Sequence, residues 1–319
     1  MQTLLTVNIL NSNSNLTQID CIKNFGNLNC KIIIANIDKD IKYKHQANNL
    51  EIVKFYSDKG ISEIKNKLVQ MCKTPWMIFL EAWEELVDAQ SFIESLATKS
   101  KKAYKLNIIQ GDLLTKETRL WHRNSKIQFI NPVFDTAIGD AELSMEMILS
   151  SGGEHQIDFI HHIDKWQEKL PLSAEPLYYR ASYALKKKNW DSFINYGIAY
   201  LHQEQNKNMS WYMTHYYLSM VYCYLKKDYS KSISHVLNCI MKKPVMAEFW
   251  CLLGDNYYAI NQFEKAISFY DNAIILGSRR KKTCDWSMEI SKYLEYPQKM
   301  IDASKKVLEA TSGYAGNNQ

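Results

Sequence analysis

Three glutamates, Glu81, Glu84 and Glu85, crowd the end of a short apolar run, residues 76–80, that reads Trp-Met-Ile-Phe-Leu. The run follows Thr74-Pro75 and is too short for a buried helix, so it predicts a central strand covered on both faces. Open α/β sheets hold ligands in a crevice at the carboxyl ends of such strands, which is where these glutamates stand. The alternative is that they begin the next helix, whose amino end favours negative charge. A second cluster, His155, His161 and His162 with Glu154 and Asp158, suggests metal ligation. On a helix those side chains spread over several faces, which predicts a solvated surface. The basic runs 278–282 and 186–188 fall in turns between helices and read as solvated loops. No glycine-rich dinucleotide motif, P-loop or Gly-x-Ser-x-Gly is present, so nothing points to dinucleotide binding, NTP hydrolysis or a serine hydrolase.

The elements around the glutamates alternate. Residues 3–10 predict a first strand, the polar stretch 11–15 a turn, and residues 17–25 a helix. Residues 31–35 (Lys-Ile-Ile-Ile-Ala) and 50–55 predict further strands, and 62–72 an amphipathic helix through Ile64, Leu68, Val69 and Cys72. This alternation marks a parallel α/β sheet in three layers, with 31–35 and 76–80 expected as neighbouring buried strands. After a helix at 89–97 the pattern changes to strand-like segments at 103–109, 117–122 and 127–130, an antiparallel extension. Everything beyond the Ser-Ser-Gly-Gly of 150–153 reads helical. Two domains are therefore expected, an α/β domain over 1–150 and an all-α domain over 151–319.

Composition narrows the class. With 319 residues, 46% apolar and 23% charged, the chain is long enough for two cores. A formal charge of +5, spread diffusely, gives no focused field for nucleic acid. Seven cysteines form no Cys-x-x-Cys pair and lie mostly in apolar runs, the usage of a reduced cytoplasmic protein. No signal peptide or membrane span is evident in the sequence.

The helical half carries a repeat. Trp250, Leu253, Gly254 and Tyr257, then Phe263, Ala266, Tyr270 and Ala273, have the spacing of a tetratricopeptide repeat. Stepping back by its period of about 34 residues reaches Tyr216, Ser219, Met220, Cys223, Tyr229, Ser232, Val236 and Cys239. An earlier unit keeps Ala181, Ala184 and Trp190, with extra residues before the next. A degenerate helix pair over 284–310, interrupted at Pro297, is expected to cap the array. Small residues at the eighth and twentieth positions predict that Gly254 faces Ala266. A stacked array leaves a groove for a protein or peptide, to be lined by some of Tyr178, Tyr179, Tyr212, Tyr217 and Tyr258.

With that order of elements, residues 3–140 resemble a glycosyltransferase of family 2, whose bacterial members often carry such repeats. The resemblance implies a GT-A fold, mostly parallel, and a nucleotide-sugar donor held at the strand ends. By position it assigns donor contacts to Asn11, Asn36, Asp38, Lys65 and Glu81, and the proton-accepting base to Asp135. The family's Asp-x-Asp metal motif falls on Glu81-Ala82-Trp83, and its Arg-rich stretch on residues 119–124. Trp83 supplies no oxygen where the second aspartate belongs, so a manganese or magnesium site is expected weak or lost. Glu84 would serve as a second ligand beside Glu81 only if the chain turned helical at once. The Trp83 indole would instead stack on a base or sugar, or fill the metal pocket.

Two functions compete on this sequence. One is sugar transfer from a nucleotide sugar to a protein or peptide recruited by the repeats. The other is a catalytically silent scaffold or partner subunit that binds proteins through the repeats, which Trp83 and Phe134 favour. A tetratricopeptide adaptor with an unrelated α/β domain is a third reading.

Overall fold

The computed structural model describes residues 3–11, 24–25, 28–37, 49–56, 60–130, 136–137, 142–150, 160–169, 171–280 and 287–316. The helix expected at 17–25 lies almost wholly outside the described residues, as do Asp38, Asp135 and the histidine at 155. The chain divides into two compact units, residues 1–166 and 167–319.

The first unit is built on a mixed sheet. Its strands are β1 (Leu5–Asn11), β2 (Cys30–Ile37), β3 (Leu50–Phe55), β4 (Trp76–Glu81), β5 (Glu84–Leu86), β6 (Ala103–Gln110), β7 (Leu113–His122) and β10 (Glu142–Ser150). Their spatial order is β3-β2-β1-β4-β7-β6-β10-β5, while β8 (Phe129–Ile130) and β9 (Thr136–Ala137) pair separately. Strands β1 to β4 run parallel, and β7 enters antiparallel between β4 and β6. The second and fourth strands are therefore not neighbours: β1 lies between them, pairing Ile9 with Ile34 on one side and Leu80 on the other. The doubly wound order explains the correction, because the first strand takes the centre when later strands are added on both sides.

Alternate residues of the central strands feed two cores. Leu5, Val7, Ile9, Ile32, Ile34, Ile78 and Leu80 pack with Phe92, Ile93 and Leu96, which come from α2 (Ala89–Ser95) and the 3-10 turn after it. On the opposite face Phe79 meets Trp121 and Phe129 edge to face at 5.6 and 5.1 Å. There α1 (Ile61–Met71) pins β8: the Asn66 side chain both donates to and accepts from the Phe129 backbone at 2.9 Å, and Ser62 donates to the Ile130 carbonyl.

The second unit is a helical array. Helix α3 (Ile160–Lys169) spans the division at 166, and beyond it come α4 (Glu175–Lys186) with α5 (Trp190–Gln203), α6 (Met209–Met220) with α7 (Tyr229–Ile240), and α8 (Ala247–Ala259) with α9 (Phe263–Gly277). Helix α6 runs on into a π-helical turn, Val221–Lys226. A left-handed residue ends the first helix of every pair: Lys188, Lys227 and Asn261. The last two stand one repeat period apart, and the first stands five residues further back, the extra length seen in the sequence. Asn189, Asn208 and Asp228 cap the helices that follow or open the pairs, each accepting from a backbone N–H three residues on.

Three expectations for this unit are changed or refined. A Cβ on Gly254 would lie 2.6 Å from the Tyr270 ring, so the nearest atoms to the eighth position come from the twenty-fourth. In the preceding pair Ser232, at the twentieth position, meets Ser219, hydroxyl to hydroxyl at 2.9 Å. The cap is one long helix, α10 (Glu295–Gly316), preceded by the two-residue strand β11 (Met288–Glu289) and a 3-10 turn. Pro297 does not interrupt it, because it sits in the first turn where a backbone N–H has no partner to lose. The array is thus helical apart from β11.

Gly254→Leu is expected to destabilise the array by about 1–3 kcal/mol, since Tyr270 is fully buried and cannot swing away. Thermal unfolding followed by circular dichroism checks it; an unchanged midpoint would contradict the contact.

Candidate functional site

Three parallel strand ends meet where the sequence placed the site. Asn36 on β2 is in register with Asn11 on β1, whose neighbour Leu10 is in register with Glu81 on β4. The Asn11 amide donates to Asn36 Oδ1 at 3.0 Å, and both side chains are buried. Lys65 reaches the same end from α1. Its ammonium stands 3.9 Å from Glu81 Oε1 and over the rings of Phe79 and Phe129, at 5.8 and 5.5 Å. The residues expected to hold a donor thus form two pairs at these strand ends, Asn11 with Asn36 on the face of Ile9 and Ile34, and Lys65 with Glu81 on the face of Phe79.

The pivot turn itself is closed by charge. After Glu81 the chain turns through Ala82 and Trp83 and re-enters the sheet as β5, so Glu84 is on a strand and the glutamates do not begin a helix; Asp88 caps α2 instead. The Glu84 carboxylate folds back, accepting the Glu81 backbone N–H at 2.9 Å. Arg119 then clasps it with both nitrogens, at 3.0 and 2.9 Å, and also donates to the Phe79 carbonyl. The Arg119 fork matches the planar carboxylate, which gives two charge-assisted bonds in one geometry.

Local backbone geometry explains how Arg119 gets there. The β6–β7 register shifts between Tyr104 and Lys105, whose partners are Leu120 and Thr118, so Arg119 is the extra residue of a bulge. A bulge re-aims a side chain that regular pleating would send elsewhere. Burial pushes the Glu84 carboxyl above the ordinary glutamate range, and the Arg119 guanidinium pulls it back. Trp83 is half-buried and packs on the core under the sheet.

The sequence marked Arg119 only as part of a family stretch, not as the partner of Glu84. A bulge has no sequence signature, so the pairing was invisible. Among the described residues no cluster of three or more His, Cys, Asp or Glu side chains is arranged to hold a metal ion. An open groove of ≈ 440 Å³ lies elsewhere in this unit, between α1 and β8, and is lined by none of the four site residues.

The five described cysteines are buried, and burial raises their thiols, Cys30 and Cys223 to about 12, as inert core groups should be. Of the aromatic residues expected in the groove, Tyr212 is buried in the core, while Tyr178 and Tyr217 are partly buried and pack against it.

No family model matches the sequence. Among curated proteins, pre-mRNA-splicing factor SYF1 of Dictyostelium discoideum is 24% identical over 153 residues, 45% of this chain and 17% of that protein. The chain thus spans less than a fifth of the length of the curated relative it matches. Among solved structures it is similar to MamA 41-end from Desulfovibrio magneticus RS-1, at 16% identity and a TM-score of 0.37, covering 50% of this chain and 85% of that one. The yeast Sti1 TPR2B domain, solved in a complex with pHsp70, is similar at 10% identity and a TM-score of 0.35, covering 42% and 96%. S. aureus TarS 1-349, solved in complex with UDP-GlcNAc, is similar at 11% identity and a TM-score of 0.35, covering 95% and 92%. None of these likenesses assigns an activity to this chain. Among the described residues no helix is long and apolar enough to cross a membrane.

Proposed function

We propose that this chain is a protein-binding scaffold: a glycosyltransferase-like α/β domain that does without a metal, followed by tetratricopeptide-type repeats that hold a protein or peptide. The observation behind this reading is that both pivot carboxylates face cations of the chain itself, Glu84 in a two-point clasp with Arg119 and Glu81 beside Lys65. Manganese or magnesium needs several oxygen ligands. Glu84 has both oxygens engaged and Trp83 has none to give, so the donor set does not fit such an ion.

A second reading, metal-independent sugar transfer, has one observation in its favour. The Asn11–Asn36 pair and the Lys65–Glu81 pair are polar groups at the strand ends, where a nucleotide sugar would bind with Asp38 and Trp83 completing the contacts and Asp135 as base. The two readings part in a release assay with a panel of uridine and guanosine diphosphate sugars. The scaffold reading expects no release of nucleoside diphosphate above buffer, with or without manganese. Release that disappears on Asp135→Asn would establish transfer chemistry instead.

A further inference from the structure

Helix α8 turns a buried, acidic face toward one short segment of the chain. Glu248, Cys251 and Asp255 lie on one side of it, three and four residues apart. All three are buried, and all three are met by Arg280 and residues 287–296. Glu248 Oε1 accepts from Arg280 at 3.2 Å and from the Glu289 backbone N–H at 3.0 Å, while its other oxygen accepts from the Tyr293 hydroxyl at 2.7 Å. The Cys251 thiol donates to the Lys292 carbonyl, and the Tyr296 hydroxyl donates to Asp255 at 2.7 Å. From α6 the Tyr216 hydroxyl donates to Glu289 at 2.7 Å. Asp255 also holds the hydroxyls of Tyr224 and Tyr270, so its position is fixed by the array whatever the segment does.

The segment is attached as a bound peptide is attached. Its polar anchors are a guanidinium, two tyrosine hydroxyls and main-chain groups, and the Tyr293 and Tyr296 rings pack against Ala247, Cys251 and Ala273. Two of its aliphatic side chains, Ile290 and Leu294, remain 46% and 63% exposed. Between Ser287 and Tyr293 it is a two-residue strand and a 3-10 turn, and its last anchor, Tyr296, stands in the first turn of α10. Burial drives the Glu248 carboxyl above the usual range, and the Arg280 guanidinium beside it opposes that shift.

We propose that this face of α8 is a recognition site for a peptide presenting an arginine and tyrosine hydroxyls, and that Arg280 with residues 287–296 is its resident occupant, replaced by a partner segment of the same chemistry. The proposal rests on the protein-binding reading but not on the state of the α/β site, so the two fail separately. A tethered occupant competes at high effective concentration, which keeps the site closed to weak ligands.

The test uses the full chain and a fluorescein-labelled peptide with the sequence of residues 279–297. Arg280→Ala loosens the resident and leaves Glu248 and Asp255 in place. The loosened chain is expected to bind the peptide at least tenfold more tightly than the unaltered chain, and Glu248→Gln added to it should remove the gain. Equal binding by the two chains, with helicity retained, overturns the proposal, and so does a gain that survives Glu248→Gln. Should Arg280→Ala fail to fold, hydrogen exchange on the unaltered chain decides: amides of 288–293 exchanging well before those of α8 and α9 support replacement, and equal protection overturns it.

Discussion

Arg119→Ala is expected to destabilise the α/β unit by about 3–5 kcal/mol, because it leaves the Glu84 carboxylate buried without its cation. Glu84 is 4% exposed and its charge is met at two points by one guanidinium. The loss should depend on pH in a direction that identifies its cause. Without Arg119, burial holds the folded-state Glu84 pKa above its unfolded value of about 4.3. A raised pKa favours the protonated form, so the variant is best matched to the unaltered chain at low pH and falls behind as pH rises through that pKa. Urea unfolding at a series of pH values measures the gap. Arg119→Ala combined with Glu84→Ala should recover part of the loss, since neither charge then remains. A gap below about 1 kcal/mol that ignores pH would place the pair among ordinary surface salt bridges.

Acid should weaken the repeat array through a pair of histidines that the first unit does not contain. His215 on α6 and His235 on α7 share a bond between their Nδ1 atoms at 2.8 Å, which requires one to donate and the other to accept. Trp211 packs edge-on against His215, and Tyr222 stacks on His235. Burial lowers His215 to about 3, helped by His235 and Lys207, and lowers His235 to about 4. A depressed histidine pKa means that the unfolded chain binds protons first as pH falls below about 6.5. The stability these neutral rings contribute is thus present above that value and is lost progressively down to about pH 4. Two protons are involved, and partial exposure of His235 trims the effect, so about 2–4 kcal/mol should be gone by pH 4.5. Thermal unfolding of the chain at pH 7 and pH 4.5 checks this against His215→Gln/His235→Gln, which should flatten the profile. A midpoint as steep in the double variant would assign the acid sensitivity to other groups.

Much of this architecture was legible from short patterns. The runs at 31–35, 50–55 and 76–80 formed strands because they are apolar, β-branched and too short for anything else. The register of the last repeat was readable from Trp250, Gly254 and Tyr257 because a repeat states its period twice. What stayed hidden was long-range: β1 entering between β2 and β4, Tyr270 packed under Gly254, and Arg119 aimed by a bulge at Glu84. Each depends on pairing between residues 16 to 71 positions apart, which no local periodicity encodes. The acidic face of α8 is a similar case. Glu248 and Asp255 read as ordinary helix carboxylates until Arg280 and residues 287–296 arrive to meet them. Of the candidate site, the residue types at Asn11, Asn36, Lys65 and Glu81 came from family likeness, and their pairing, Asn11 with Asn36 and Lys65 with Glu81, is a property of the folded strand ends.

The central claim is that chain cations stand in for a metal at the pivot turn. It is tested most directly by calorimetry of the unaltered chain with uridine diphosphate, in the presence of manganese and again in the presence of a chelator. The expected result is binding that is weak or absent and the same in both, because Arg119 and Lys65 already face Glu84 and Glu81. Tight binding only with manganese, abolished by Glu81→Ala, would contradict it.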